Sequence, residues 1–189
     1  ELTESLGVTA VLYYLYFPPN DWNLLRQGLQ EAFDGDGSLL LAMLDQRLER
    51  DPASGAYANN GQEAFYAISC LDRPVRSVAE IEADADTWAQ ESPTFGPYLA
   101  WSDAVCAQWP VPAVTQPRAV AAAGAGPFLV VSTQYDPATP YEWGVRMAEG
   151  FNEASLVSFN GDGHTAYLNG SACVDSAVDA YLLDGVVPD

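Results

Sequence analysis

Two side chains in this sequence have the type and the placing for proton-transfer chemistry. One is the carboxylate of Asp136, in Gln134-Tyr-Asp-Pro-Ala-Thr-Pro140, and the other is the imidazole of His164, the chain's single histidine, in Asn160-Gly-Asp-Gly-His-Thr-Ala-Tyr167. A neutral imidazole, with an ordinary pKa of about 6.5, takes and returns a proton near neutral pH. A carboxylate bonded to its far nitrogen selects the tautomer that leaves the near nitrogen free to act. Pro137 and Pro140 restrict the backbone on either side of Ala138 and Thr139, so the loop holds Asp136 in a definite place at low entropic cost. The competing reading of Asp136 is a cap for a helix starting near Tyr141; that of a solitary histidine is a plain loop or core residue.

The elements around these residues decide between the readings. Pro127-Phe-Leu-Val-Val-Ser-Thr133 is a continuous apolar, β-rich run of the kind buried inside a parallel sheet. The pattern then predicts a helix over 141–151, a strand over 155–159 and a helix over 172–183. Asp136 and His164 thus follow consecutive strands, in the order acid then histidine, at the carboxyl edge where open α/β sheets keep their active sites. Two parallel strands cannot close such a core, so most of the sheet is expected to lie outside this sequence.

Upstream, apolar residues recur at three- and four-residue steps: Leu12, Leu15 and Tyr16; Leu24, Leu25, Leu29 and Phe33; Leu40, Leu41, Leu44 and Leu48; Val78, Ile81, Ala85 and Trp88. These predict amphipathic helices, with Ser38 or Asp36 capping the one from Leu39 and a Ser77–Glu80 capping box opening the one from Val78. The character changes between Val111 and Gly126, where proline-rich VPAVTQP gives way to AVAAAGAGP. The expected organisation is therefore a mainly helical domain over 1–116 and an α/β segment over 117–189.

Composition narrows the function classes. With 26 acidic residues against 7 basic ones, all arginine, the net charge is −19, which repels phosphate at every approach and argues against nucleic-acid and anionic-membrane partners. No run approaches the roughly 20 apolar residues of a membrane span, and Glu1-Leu-Thr-Glu-Ser-Leu-Gly7 has no signal-peptide character. Cys70, Cys106 and Cys173 match no metal spacing; one disulfide with one thiol left over, suited to an oxidising compartment, stands against three reduced thiols. Asp34-Gly-Asp-Gly-Ser38 fails as a calcium loop, since Leu39 and Asp45 occupy its sixth and twelfth positions. Asn169-Gly-Ser171 is a glycosylation sequon by pattern only. No metal and no cofactor is expected.

The stretches YDPATPYEWGVRMAE and GDGHTAYLNGSACVDSAVDAYLLDG, with LLRQGLQEAFDGDGSLLLAM, EAFYAISCLDRP and FGPYLAWSDAVCAQWPVP upstream, resemble the C-terminal part of the tripeptidyl aminopeptidase group of α/β-hydrolases. That resemblance implies a helical cap, here from Glu1 to about Gln116, followed by the last strand-helix-strand-helix units of the hydrolase sheet. It makes Asp136 and His164 the acid and the base of a Ser-His-Asp triad that removes short peptides from free amino termini, in an exported, secreted or cell-envelope protein. Thr139 matches the DPxTP position, with a hydroxyl placed to bond Asp136 or loop backbone; a plain turn residue is the alternative. Asp72, in CLDRP, is the candidate for receiving a substrate's ammonium group, against a surface ion pair with Arg73 or Arg76.

Cys70 and Cys106 both fall in the cap half, where a bond between them would contribute roughly 4 kcal/mol by chain entropy, leaving Cys173 odd. The aromatic run Tyr13-Tyr-Leu-Tyr-Phe17, with Trp101 and Trp109, either lines a peptide cleft or is core.

The family's nucleophile sits in a GxSxG elbow, and no GxSxG occurs here. Ser38 and Ser171 both follow glycine but read as helix caps. The chain alone is therefore expected to be inert, its unpaired sheet edge meeting the serine-bearing N-terminal portion of the same hydrolase or another copy of the chain. The alternative is a non-catalytic hydrolase-like module that binds peptides or a protein.

Overall fold

A computed structural model describes residues 1–114 and 116–188. The chain is helical as far as Ala107: α1 (Glu4–Leu15), α2 (Trp22–Phe33), α3 (Ser38–Arg47), α4 (Gly61–Asp72), α5 (Val78–Glu91), α6 (Gly96–Ala100) and α7 (Ala104–Ala107). Then come β1 (Phe128–Tyr135), α8 (Tyr141–Gly150), β2 (Ala154–Asp162) and α9 (Ala172–Asp184). A helical segment is thus followed by two parallel strands and their helices, in the order the sequence predicts. Contacts divide it into two compact units, residues 1–10 with 31–118 and residues 11–30 with 119–189. The expected boundary at 116/117 adjoins Thr115, which with Asp189 lies outside the described residues.

In the first unit, Leu40, Met43 and Leu44 of α3, Cys70 of α4, Ile81 of α5 and Ala100 of α6 are buried. The leucine, isoleucine and methionine side chains among them each contribute about 1.5–3 kcal/mol when withdrawn from water. The capping box forms: the Ser77 N–H donates to Glu80 Oε2 at 2.7 Å, and the Glu80 N–H donates to Ser77 Oγ at 3.3 Å. At α3 the N-cap position is Gly37, without a side-chain cap, and Ser38 is the first helical residue; Asp36, one residue before the cap, accepts the Ser38 N–H through Oδ1 at 2.9 Å. Helix α4 was not among the helices expected from apolar spacing; its Phe65 and Ile68 are exposed while Cys70 is buried. A disulfide joins Cys70 to Cys106, tying α4 to α7. Beside it Arg73 pairs with Asp103 at 2.6 Å, and Arg76 pairs with Asp84 and Asp103.

In the second unit, β1 and β2 pair in parallel from Phe128↔Ala154 to Thr133↔Phe159; the next pair is Tyr135↔Asp162. Two steps along β1 thus match three along β2, and the extra residue bends the end of β2 just before the histidine loop. Leu129, Val131, Val157 and Phe159 pack against Ala166, Val174 and Val178, so α9 covers one face of the pair. Helix α8 covers the other, and so closely that a Cβ on Gly144 would lie 2.5 Å from Ser132 Oγ. Each strand has one sheet neighbour among the described residues, which leaves one edge of β1 and one of β2 unpaired.

Candidate active site

Strand β1 ends at Tyr135 and delivers Asp136 directly into the proline-bounded loop. The Asp136 side chain is 3% exposed. Its Oδ1 accepts the backbone N–H groups of Ala138 and Thr139, both at 2.8 Å, and its Oδ2 accepts the Thr139 hydroxyl at 2.9 Å. None of these donors belongs to α8, whose N-cap Pro140 has no side-chain cap, so Asp136 does not cap that helix. Burial pushes the carboxyl pKa upward, but the N–H groups of Thr139 and Ala138, the His164 imidazole and the Thr139 hydroxyl outweigh it, and the net shift is downward. A charge-stabilised carboxylate is thereby kept ionised inside a nearly dry loop.

His164 arrives from the end of β2. Its Nδ1 lies 2.9 Å from Asp136 Oδ2 and 3.0 Å from Oδ1, with the Thr139 hydroxyl at 3.4 Å. With Asp136 ionised, Nδ1 is the donor and carries the proton of the neutral ring. No described residue bonds Nε2, and the side chain is 31% exposed, so the second nitrogen remains open to a reacting group. The pair has the geometry of an oriented general base.

The histidine loop is held by residues that carried no such expectation from sequence. The Asn169 amide Nδ2 donates to the Thr165 hydroxyl at 2.8 Å, to the His164 carbonyl at 3.3 Å and to the Thr165 carbonyl at 3.4 Å. The Thr165 N–H donates to Asp136 Oδ2 at 3.2 Å. Thr165 has φ +69°, a left-handed conformation that costs a β-branched residue of order 1–3 kcal/mol and persists only where its surroundings impose it. The sequon pattern did single out Asn169, but for a different chemistry; its amide nitrogen is occupied inside the loop. Ser171 caps α9 by accepting from the Val174 N–H at 3.4 Å.

A cleft of about 290 Å³ in the second unit is bordered by Thr133, Asp136, Thr139, Trp143 and Thr165. Thr133 Oγ1 is buried there without a partner among the described residues. Asp72 and Trp101 belong to the first unit. Asp72 is exposed, and Arg73 and Arg76 pair with other carboxylates, so the surface ion pair considered for Asp72 does not form. Among the described residues no group of three or more His, Cys, Asp or Glu is arranged to hold a metal, and no helix is long and apolar enough to cross a membrane.

Comparison with known proteins places this geometry in context. A family model described as TAP-like protein, of the α/β-hydrolase class, matches residues 92–189. A protein named Serine protease Hip1, from Mycobacterium tuberculosis, is 41% identical over 191 residues, covering 99% of this chain and 36% of the relative. Carboxylesterase B of the same species is also 41% identical, over 192 residues, with the same coverage of both chains. Tripeptidyl aminopeptidase of Streptomyces lividans is 31% identical over 145 residues, covering 71% of this chain and 26% of the relative. The chain thus spans about a third of the length of the first two relatives and about a quarter of the third.

Proposed function

Because the chain belongs to the TAP-like family of α/β-hydrolases, we propose that it supplies the acid and the base of a serine exopeptidase that acts on peptides with free amino termini. The observation that carries this reading is the 2.9 Å contact between His164 Nδ1 and the buried Asp136 Oδ2, with Nε2 left open. In the proposed reaction a serine hydroxyl attacks the scissile carbonyl while Nε2 takes its proton. The imidazolium that forms is stabilised by Asp136, and Nε2 then returns the proton to the leaving amine. Thr139 steadies Asp136 through its hydroxyl and backbone N–H. Support for the substrate class comes from the relatives' names, which include a serine protease and a tripeptidyl aminopeptidase.

The nucleophile is proposed to reside in a portion of polypeptide outside this sequence, seated against the unpaired edge of β1. Residues 1–116 are proposed to be the cap over the substrate, with Asp72 as the fixed anion that receives the substrate's ammonium group. The Cys70–Cys106 disulfide supports an extracytoplasmic location. By itself the 189-residue chain is proposed to turn over no peptide, since neither nucleophile nor elbow N–H donors are present.

The test is fluorophosphonate labelling of the parent protein in wild-type form and as Asp136→Asn and His164→Ala. Labelling of a single serine, slowed strongly in both variants, is the expected result. A parent that never labels would replace this reading with that of a non-catalytic peptide- or protein-binding module.

A further inference from the structure

The histidine loop has a second long-range support, from a stretch that the sequence places among the cap helices. Helix α1 ends at Leu15, and Tyr16 and Phe17 turn out of it into Pro18-Pro19. The carbonyl of Tyr16 accepts the backbone N–H of His164 itself at 2.8 Å. The Tyr16 ring packs against the imidazole at 5.0 Å between centroids and 65° between planes. Gly163 lies so close beneath Phe17 that a Cβ would stand 3.1 Å from the Phe17 carbonyl oxygen, and its φ of +93° already demands glycine. All these residues fall within the second unit.

The support is rigid. Trp22 Nε1 donates to the Phe17 carbonyl at 2.9 Å, and the Phe17 N–H donates to the Tyr14 carbonyl at 3.2 Å. Pro18 restricts Phe17 and fixes its own φ. The carbonyls of Phe17 and Tyr16 are thus both bonded, the first to Trp22 of α2 and the second to His164. An imidazole whose backbone N–H is fixed, whose Nδ1 faces Asp136 and whose ring meets an aromatic ring has little rotational freedom left. Such fixing matters because a base misplaced by about 1 Å loses on the order of 100-fold in rate.

We infer that Tyr16 and Phe17 are positioning residues for His164, so that a piece of the nominal cap is a structural part of the catalytic centre. The inference rests on the Asp136–His164 reading above. Without the segment the ring turns away from Asp136 and the neutral tautomer is no longer held.

Because His164 is the sole histidine, nitrogen-15 NMR of the full 189-residue chain reads its tautomer without ambiguity. The measurement is made at about pH 8.5, above the ordinary imidazole pKa of about 6.5. Wild type is expected to show Nδ1 protonated and Nε2 bare, with a through-hydrogen-bond coupling between the His164 amide nitrogen and the Tyr16 carbonyl carbon and slow exchange of that amide. Asp136→Asn supplies the spectrum of an unpaired ring. Tyr16→Phe, which keeps ring and carbonyl, should match wild type; Tyr16→Leu should lose the Nδ1-protonated pattern and approach Asp136→Asn.

A folded Tyr16→Leu variant indistinguishable from wild type would overturn the inference while leaving the Asp–His pair intact. Absence of the coupling together with fast amide exchange in wild type would overturn it without any variant, which settles the matter should Tyr16→Leu lose its fold. A wild-type ring spectrum like that of Asp136→Asn would instead sink the pairing itself, and the inference with it.

Discussion

The loops that present Asp136 and His164 differ in how they are built. The acid loop is local: every donor to Asp136 from its own side lies within three residues, at Ala138 and Thr139, and two prolines set the backbone. The histidine loop is assembled from a distance and under strain. It has positive φ at Gly163, Thr165, Leu168 and Gly170, and its contacts reach Tyr16, Asp136, Asn169 and Asp175. The difference teaches that the acid is preorganised by its own segment, whereas the base acquires its position only when the rest of the unit is in place.

The sharpest way to use this contrast is to remove each functional group from the assembled hydrolase proposed above. His164→Ala is expected to lower kcat on the order of 10⁶-fold and Asp136→Asn on the order of 10⁴-fold, the magnitudes that loss of a triad base and of its orienting acid produce elsewhere. Steady-state kinetics on a short peptide amide checks both, and equal small losses would break the assignment of unequal roles.

Next in size is Asn169→Ala, which strips three acceptors of the histidine loop of one donor. It should cost about 1–3 kcal/mol in denaturant unfolding and speed exchange of the loop amides while leaving those of 138 and 139 unchanged. Thr139→Val, removing one hydroxyl from a carboxylate that keeps its three backbone donors, should cost only about 0.5–1.5 kcal/mol, with Thr139→Ser restoring most of it. Reversal of that order would show that the acid loop is the more dependent of the two.

The smallest effect is the pH dependence of stability. Asp136 has its pKa lowered in the folded state below the unfolded value of about 3.9. Its ionised form therefore contributes stability that is complete above about pH 4 and disappears as pH falls through the folded value. Denaturant midpoints of wild type and Asp136→Asn, measured at a series of pH values, should converge at the lowest pH and separate above it; midpoints that run parallel throughout would remove the acid loop's electrostatic support.

Legibility in the sequence follows the same division. The proline-bounded QYDPATP loop and the buried run before it identified the strand, its end and the carboxylate, because proline and β-branched residues restrict backbone conformation wherever they occur. Strand β2 and helix α9 fell within three residues of their expected bounds, since each presents one apolar face to the same core. Helix α4 was not legible, with Phe65 and Ile68 turned outward. Asn169 and Tyr16 were visible only as a sequon and as part of an aromatic run, because nothing local to either residue refers to His164.

What the sequence determined by itself was that an aspartate and then a histidine follow consecutive strands, the elements that end in them and the capping of α5. These are effects of φ restriction, apolar periodicity and hydrogen bonds spanning a few residues. Only the tertiary structure decided that the imidazole meets the carboxylate, that the extra residue bends β2, and that Tyr16 lies under His164. Those depend on the register of one strand against another and on backbone groups that any residue type would carry, so side-chain chemistry read along the chain contains no record of them.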